Sequence, residues 1–345
     1  MPDTRPHRTT PGRRVTINDV ARATGVSRQT VSRAINDKSE IDPATRARVL
    51  DVAQQMGYRP SRFARGMIRP GVTTLGLIIA DVLNPFFPEV VAGVLEAADL
   101  RGWQVVVYST GSDPAKEPAL AETVTEQADA CVAFLANPEA IDRIAASGLP
   151  FVLLDKDGRA SAVAGVRIDF ASGVRQALQH LRERGHRQVA MLDDAAHRGP
   201  GLDLDGPPDP RRDLFPVLAA ELGLHTDRAA IHPAANSVEG GGGAIQELLA
   251  RRPEVTAVFC YNDLIAIGAV RGAMRCGRSV PGDLAAIGFD GLALSELVDP
   301  PLTTVHIDKR RLGHLAVQEA ETLMAGSHEA VEAVVTPHLV IRSTT

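Results

Sequence analysis

VTINDVARATGVSRQTVSRAIN, residues 15–36, decides how this chain is read. Thr16 is placed to cap a helix, with Asp19 three residues on as a capping-box-like partner, and Ile17, Val20 and Ala21 fall on one face. Gly25 stops that helix. Ser27 then caps a second helix whose buried stripe is Val31, Ala34 and Ile35, which leaves Arg28, Gln29, Ser32 and Arg33 pointing outward. Two short helices, a tight glycine turn and an outward row of Arg and Gln describe a helix-turn-helix of the kind that lies in a DNA major groove. Arginine forks suit guanine edges and phosphates, and a glutamine amide suits adenine. The bland alternative is a small amphipathic hairpin with a solvated charged face. Caps, spacing and outward chemistry agree against it.

The pattern D-V-A-x-x-x-G-V-S-x-x-T-V-S-R-x-x-N resembles the helix-turn-helix of the lactose-repressor (LacI/GalR) family of bacterial transcription regulators. The resemblance extends over nearly the whole chain from Val15 onward. It implies DNA contacts from Thr16, Ser27, Arg28, Gln29, Thr30, Ser32, Arg33 and Asn36. It also implies two kinds of partner: double-stranded palindromic operator DNA and a small-molecule effector, either a sugar, a polyol or a sugar acid. The assembly it implies is a homodimer or a tetramer, with no membrane partner, no cofactor and no metal.

Composition agrees with such a division of labour. Residues 1–70 carry 14 Lys and Arg against 6 Asp and Glu, whereas the remainder carries 23 against 36. A basic head on an acidic body is what a phosphate-binding module joined to a non-DNA domain should look like. With 345 residues there is room for two or three domains. No apolar run approaches the ~20 residues of a membrane helix. The basic, proline-containing N-terminus is not followed by an apolar signal core, so a cytoplasmic, nucleoid-associated protein is expected. Cys131, Cys260 and Cys276 are widely spaced and read as buried small hydrophobes in a reducing compartment.

Taken in order, residues 1–14 read as a disordered basic arm and residues 15–59 as the DNA-binding domain. The latter is completed by a third helix from Asp42-Pro43 to about Met56, with Val49, Leu50, Val52, Ala53 and Met56 on its inner side. Residues 60–71, rich in arginine and bracketed by Pro60 and Pro70-Gly71, form a linker. The family resemblance makes it a hinge that turns helical on DNA, with contacts from Arg62 and Arg65 and with Met67 as the wedge pushed into the minor groove. From Val72 onward, β-branched runs alternate with amphipathic helices, and the pattern restarts near residue 170. The fold class is therefore an all-α helix-turn-helix headpiece followed by an α/β body of two doubly wound parallel sheets. The resemblance likens this body to periplasmic binding proteins. It implies an N-lobe of about 72–168 and 308–336 and a C-lobe of about 169–307 and 337–345, the chain crossing between them near 169, 307 and 337. Residues 195–210, rich in Pro, Gly and Asp, read as a flexible surface loop.

Several polar residues follow strands, where an α/β cleft presents its ligand-binding groups. They are Asp81 and Asn84, Asp155, Asp169, Asn262-Asp263 and Asp290. Carboxylates and amides suit neighbouring hydroxyls, although each of these positions is equally that of a helix cap. The resemblance marks Asp155, Arg211, Asn262 and Asp290 as effector contacts, with Phe86 and Phe87 lining the entrance. Asn236 stands where sugar-responsive members carry an aromatic ring. It offers no face to a pyranose, which points towards a smaller polyol, a sugar acid or another polar metabolite. The glycine run 240–243 is either a phosphate cradle or a plain loop-to-helix junction. There is no GxSxG elbow, Walker loop, HExxH or GxGxxG after a strand, and the ten histidines are scattered, so no enzyme is expected.

Overall fold

The computed structural model describes residues 17–35, 41–56, 72–155, 163–195, 209–225, 227–326 and 332–345. The expectations for Thr16, Asn36, Arg62, Arg65, Met67, the basic arm and most of the 195–210 loop lie outside them. The chain divides into two compact units, residues 1–73 and 74–345.

In the first unit three helices form: α1 (Ile17–Thr24), α2 (Arg28–Ile35) and α3 (Pro43–Gln55). Gly25 turns the chain at φ +68°, a backbone conformation that costs glycine nothing. The Ser27 hydroxyl accepts from the Thr30 N–H at 3.1 Å, and Asp42 caps α3 by accepting from the Thr45 N–H at 2.9 Å. Val20, Val31, Ala34, Val49 and Ala53 make the buried core. Leu50 departs from expectation and is exposed. Val49 and Ala53 are four residues apart on one face, and a neighbour of Val49 is rotated by about 100° away from it. Asp19 makes an ion pair with Arg22 at 3.3 Å.

The second unit holds two six-stranded sheets built to one plan. The first contains β1 (Thr74–Ile79), β2 (Gln104–Ser109), β3 (Ala130–Ala133), β4 (Phe151–Leu154), β5 (Ala164–Ile168) and β11 (Glu332–Val335), all parallel, in the order β2-β1-β3-β4-β5-β11. The second contains β6 (Val189–Asp194), β7 (Ile231–Ala234), β8 (Ala257–Cys260), β9 (Ala285–Asp290), β10 (Thr303–His306) and β12 (His338–Val340), in the order β7-β6-β8-β9-β10-β12. Here the last strand, β12, runs antiparallel to β10, a departure from the wholly parallel expectation. β7 contains Pro233, which lacks a ladder donor. Its place at the sheet edge makes it tolerable.

Among the helices of this unit are α4 (Phe86–Asp99), α5 (Glu117–Gln127), α6 (Pro138–Ala146), α7 (Phe170–Glu183), α8 (Pro210–Glu221), α9 (Val238–Arg251), α10 (Asp263–Arg275), α11 (Leu294–Leu297) and α12 (Lys309–Met324). The chain passes between the sheets after β5, after β10 and after β11. The glycine run lies in α9 and packs that helix onto α10. A Cβ at Gly241 would overlap the carbonyl of Ile265, and one at Gly268 that of Val238. Ser237 caps this helix, and close packing on α10 accounts for Gly241. Cys131 and Cys260 are buried as expected. Cys276 is exposed, since it ends α10 just before the turn at Gly277.

Candidate functional site

In both sheets the strand order reverses beside the first strand, and crevices for ligands open at the carboxyl ends of the strands flanking such a reversal. In the second sheet those strands are β6 and β8, and their ends carry Asp193-Asp194 and Tyr261-Asn262. Asn262 caps α10, accepting from the Ile265 N–H at 3.0 Å, and donates from Nδ2 to the Asn236 side-chain oxygen at 2.7 Å. Asn236 donates in turn to Asp194 Oδ2 at 2.8 Å. Where an aromatic ring would stack, this chain runs a ladder of side-chain hydrogen bonds.

Beside that ladder sits Arg211, buried on the first turn of α8. Its guanidinium carbon lies 3.7 Å from the ring centre of Tyr261 and 4.9 Å from that of Phe170. Asp209 accepts from Arg211 Nε at 3.3 Å and from Nη2 at 3.1 Å, and Nη1 donates to the Tyr261 carbonyl at 3.3 Å. Burial works against the arginine's charge, yet the adjacent Asp209 holds its pKa above the ordinary value. Asp290 reaches within 4.0 Å of the same guanidinium. Burial pushes its carboxyl up to about 8, against the opposing pull of Arg211.

Asp155, just after β4, and Asp290, at the end of β9, have φ of +55° and +105°, a region non-glycine residues seldom enter. Asp155 comes from the first sheet and acts electrostatically on Asp290 in the second. The turn after Asp290 is held from the first lobe by Lys309, whose buried ammonium donates to the carbonyls of Asp290, Gly291 and Ile307 at 2.7, 2.9 and 3.2 Å. Glu89 of α4 lies 3.5 Å from it.

The remaining candidates serve local structure. Asp169 caps α7, and Asp81 and Asn84 close the turn before α4. Asp263 is sunk among Leu292, Ser295 and Thr304, and burial brings its carboxyl up to about 6. Phe86 is buried and Phe87 half-buried, packed edge-on with each other and with Phe134. In the first unit Arg33 is exposed, while the Thr30 hydroxyl is taken up with Ser27 at 2.9 Å.

Sequence reasoning missed Asp194, Asp209, Tyr261 and Lys309. Asp209-Pro210 carries the same helix-start signal as Asp42-Pro43 but was read as part of the loop. Asp194 ends a strand just as Asp290 does. Nothing in the sequence marks Lys309.

Among the described residues no cluster of His, Cys, Asp and Glu is arranged to hold a metal ion, and no helix is long and apolar enough to cross a membrane. Residues 16–61 match the model for bacterial regulatory proteins of the lacI family, and residues 178–345 match that for a periplasmic binding protein-like domain. The HTH-type transcriptional regulator DegA of Bacillus subtilis is 32% identical over 96% of this chain and 98% of its own length. The regulator CelR of Thermobifida fusca is 31% identical over 96% of this chain and 98% of its own. A solved complex of the transcriptional regulator CelR with cellobiose superposes with a TM-score of 0.71 at 28% identity, covering 96% of this chain and all of that one. The lac repressor dimer bound to operator and an anti-inducer superposes with a TM-score of 0.71 at 25% identity, covering 96% and 99% of the two chains.

Proposed function

This chain belongs to the lacI family of bacterial regulatory proteins and is a DNA-binding transcriptional regulator; from that premise we propose how it works. A homodimer sets two copies of α2 in the major grooves of a palindromic operator, with Arg28, Gln29 and Arg33 reading base edges or adjacent phosphates. Residues 60–71 act as the hinge, with Met67 as its minor-groove wedge. The protein is a cytoplasmic repressor without catalytic activity. The observation that carries this reading is the Ser27-capped α2 beyond the Gly25 turn, with Arg33 exposed and Val31 and Ala34 buried beneath it.

The effector is a small polyhydroxylated molecule held by Arg211, Asn262 and Asp290 of one lobe and Asp155 of the other. A ligand that touches both lobes binds one disposition of them more tightly, and the shift it produces is limited by that difference. Coupling between ligand and operator is reciprocal. Selection of the full chain against a random duplex library, followed by gel shift, should yield a palindrome; a chain with no sequence preference would overturn the reading. Within that palindrome, Arg33→Ala should cost about 1–3 kcal/mol if Arg33 reads a base edge, the loss falling on one base pair.

A further inference from the structure

Asp209 performs two tasks at the start of α8. Its Oδ1 accepts from the backbone N–H groups of Arg211 and Arg212 at 2.9 and 3.4 Å, which caps the helix. The same carboxylate grips Arg211 Nε and Nη2, and both residues are nearly buried, at 5% and 7% exposure. A buried bidentate pair is close to neutral as a unit. Among the described residues the neighbouring buried cation, Arg212, is matched as well, its guanidinium lying 3.7 Å from Asp193. Asp194, Asp209 and Asp290 all act on the Tyr261 hydroxyl, and Asp155 acts on Asp290. Lys309 is near as well, but its ammonium is committed to three backbone carbonyls. A carboxylate or phosphate entering here would meet an arginine already matched by Asp209, in a medium that screens poorly. A diol would meet carboxylates and amides able to exchange hydrogen bonds with it.

We infer that Asp209 is a specificity-determining residue: by neutralising Arg211 within the protein it excludes anionic ligands and reserves the site for uncharged polyhydroxylated molecules. This inference rests on the ligand-site reading above and narrows it. It sets aside the sugar acids that the sequence left open.

The test uses the full chain, isothermal titration calorimetry and two probes, D-glucuronate and inorganic phosphate. The wild type should bind neither. Asp209→Asn keeps a capping oxygen for α8 and should gain at least about tenfold affinity for glucuronate over the wild type. Asp209→Ser, also a capping residue, replaces it if the Asn variant does not fold. The gain should vanish in Asp209→Asn/Arg211→Met, which removes both halves of the buried pair together. Anion binding by the wild type, no gain in either single variant, or a gain that survives loss of Arg211 would each overturn the inference. Operator selection by the wild type is read separately. A chain that selects a palindrome while its Asp209 variants gain no anion affinity loses this inference alone. A chain that selects none loses the regulator reading whatever the titration shows.

Discussion

The two lobes share a strand order but not a chemistry. At the reversal in the first sheet, the segments after β1 and β3 bring together Phe86, Phe87 and Phe134, three rings packed edge to face. At the matching reversal in the second sheet, the segments after β6 and β8 bring Asp194 and Asn262, tied together by Asn236, with Arg211 held beside them on Tyr261. One end is an apolar wall and the other a polar floor. Topology places both, because crevices form at such reversals whatever lines them. Composition decides their work. A polyol has carbon-bound hydrogens on its faces and hydroxyls on its rim, and needs a surface of each kind.

If the polar floor is organised by Arg211, removing it should be the most damaging change in the body. Arg211→Ala leaves Asp209 a buried carboxylate without its cation. Breaking a buried pair from one side costs about 3–5 kcal/mol. Urea unfolding should show that loss, and a shift under 1 kcal/mol would mean the arginine is less central than its contacts suggest. On the apolar wall, Phe134→Ala opens a gap between Phe86 and Phe87. Fully buried Phe→Ala changes cost about 3–5 kcal/mol, and the partial exposure of Phe134 brings the expectation down to about 2. Unlike the arginine variant, this loss should not depend on pH.

The pH dependence separates the two ends. Burial raises the folded-state carboxyl of Asp290 to about 8, so between the ordinary carboxylate range and pH 8 the folded state binds a proton that the unfolded chain has released. Stability therefore falls as pH rises through that window and levels off above it. One proton over two pH units amounts to about 2 kcal/mol between pH 6 and 8. Asp290→Asn should flatten that slope, and an unchanged slope would move its origin elsewhere. Asp263, raised to about 6, adds a similar fall at lower pH that Asp290→Asn leaves in place.

The helix-turn-helix, the alternation of strands and helices and the position of most strand ends were legible because caps, glycine turns and apolar periodicity are local signals. Asp155, Asn262 and Asp290 stand out in the sequence as polar residues after strands, a position that reads equally as a helix cap, and Arg211 is marked by the resemblance alone. Asn262 is a cap and a rung of the ladder at once. Lys309 was invisible because its three acceptors come from Asp290, Gly291 and Ile307, carbonyls that sequence does not advertise. Leu50 was misread by counting apolar residues without tracking their rotation around α3.

The smallest expected effect concerns Asn236, and it is the sharpest test of what the polar floor is made of. Its amide joins Asp194 to Asn262, the latter only 1% exposed. In Asn236→Ala the Asn262 amide loses that acceptor, while its cap on α10 is untouched. Asn236 is itself an exposed residue, so water can enter in its place, and the net cost should stay near 1 kcal/mol. A loss near 3 kcal/mol would show a ladder sealed from solvent, with Asn262 left unsatisfied as deeply buried amides are. No loss would show that the cap alone fixes Asn262. In that case the ladder is free to open, and the second lobe offers a ligand an amide that its own hydrogen bonds do not restrain.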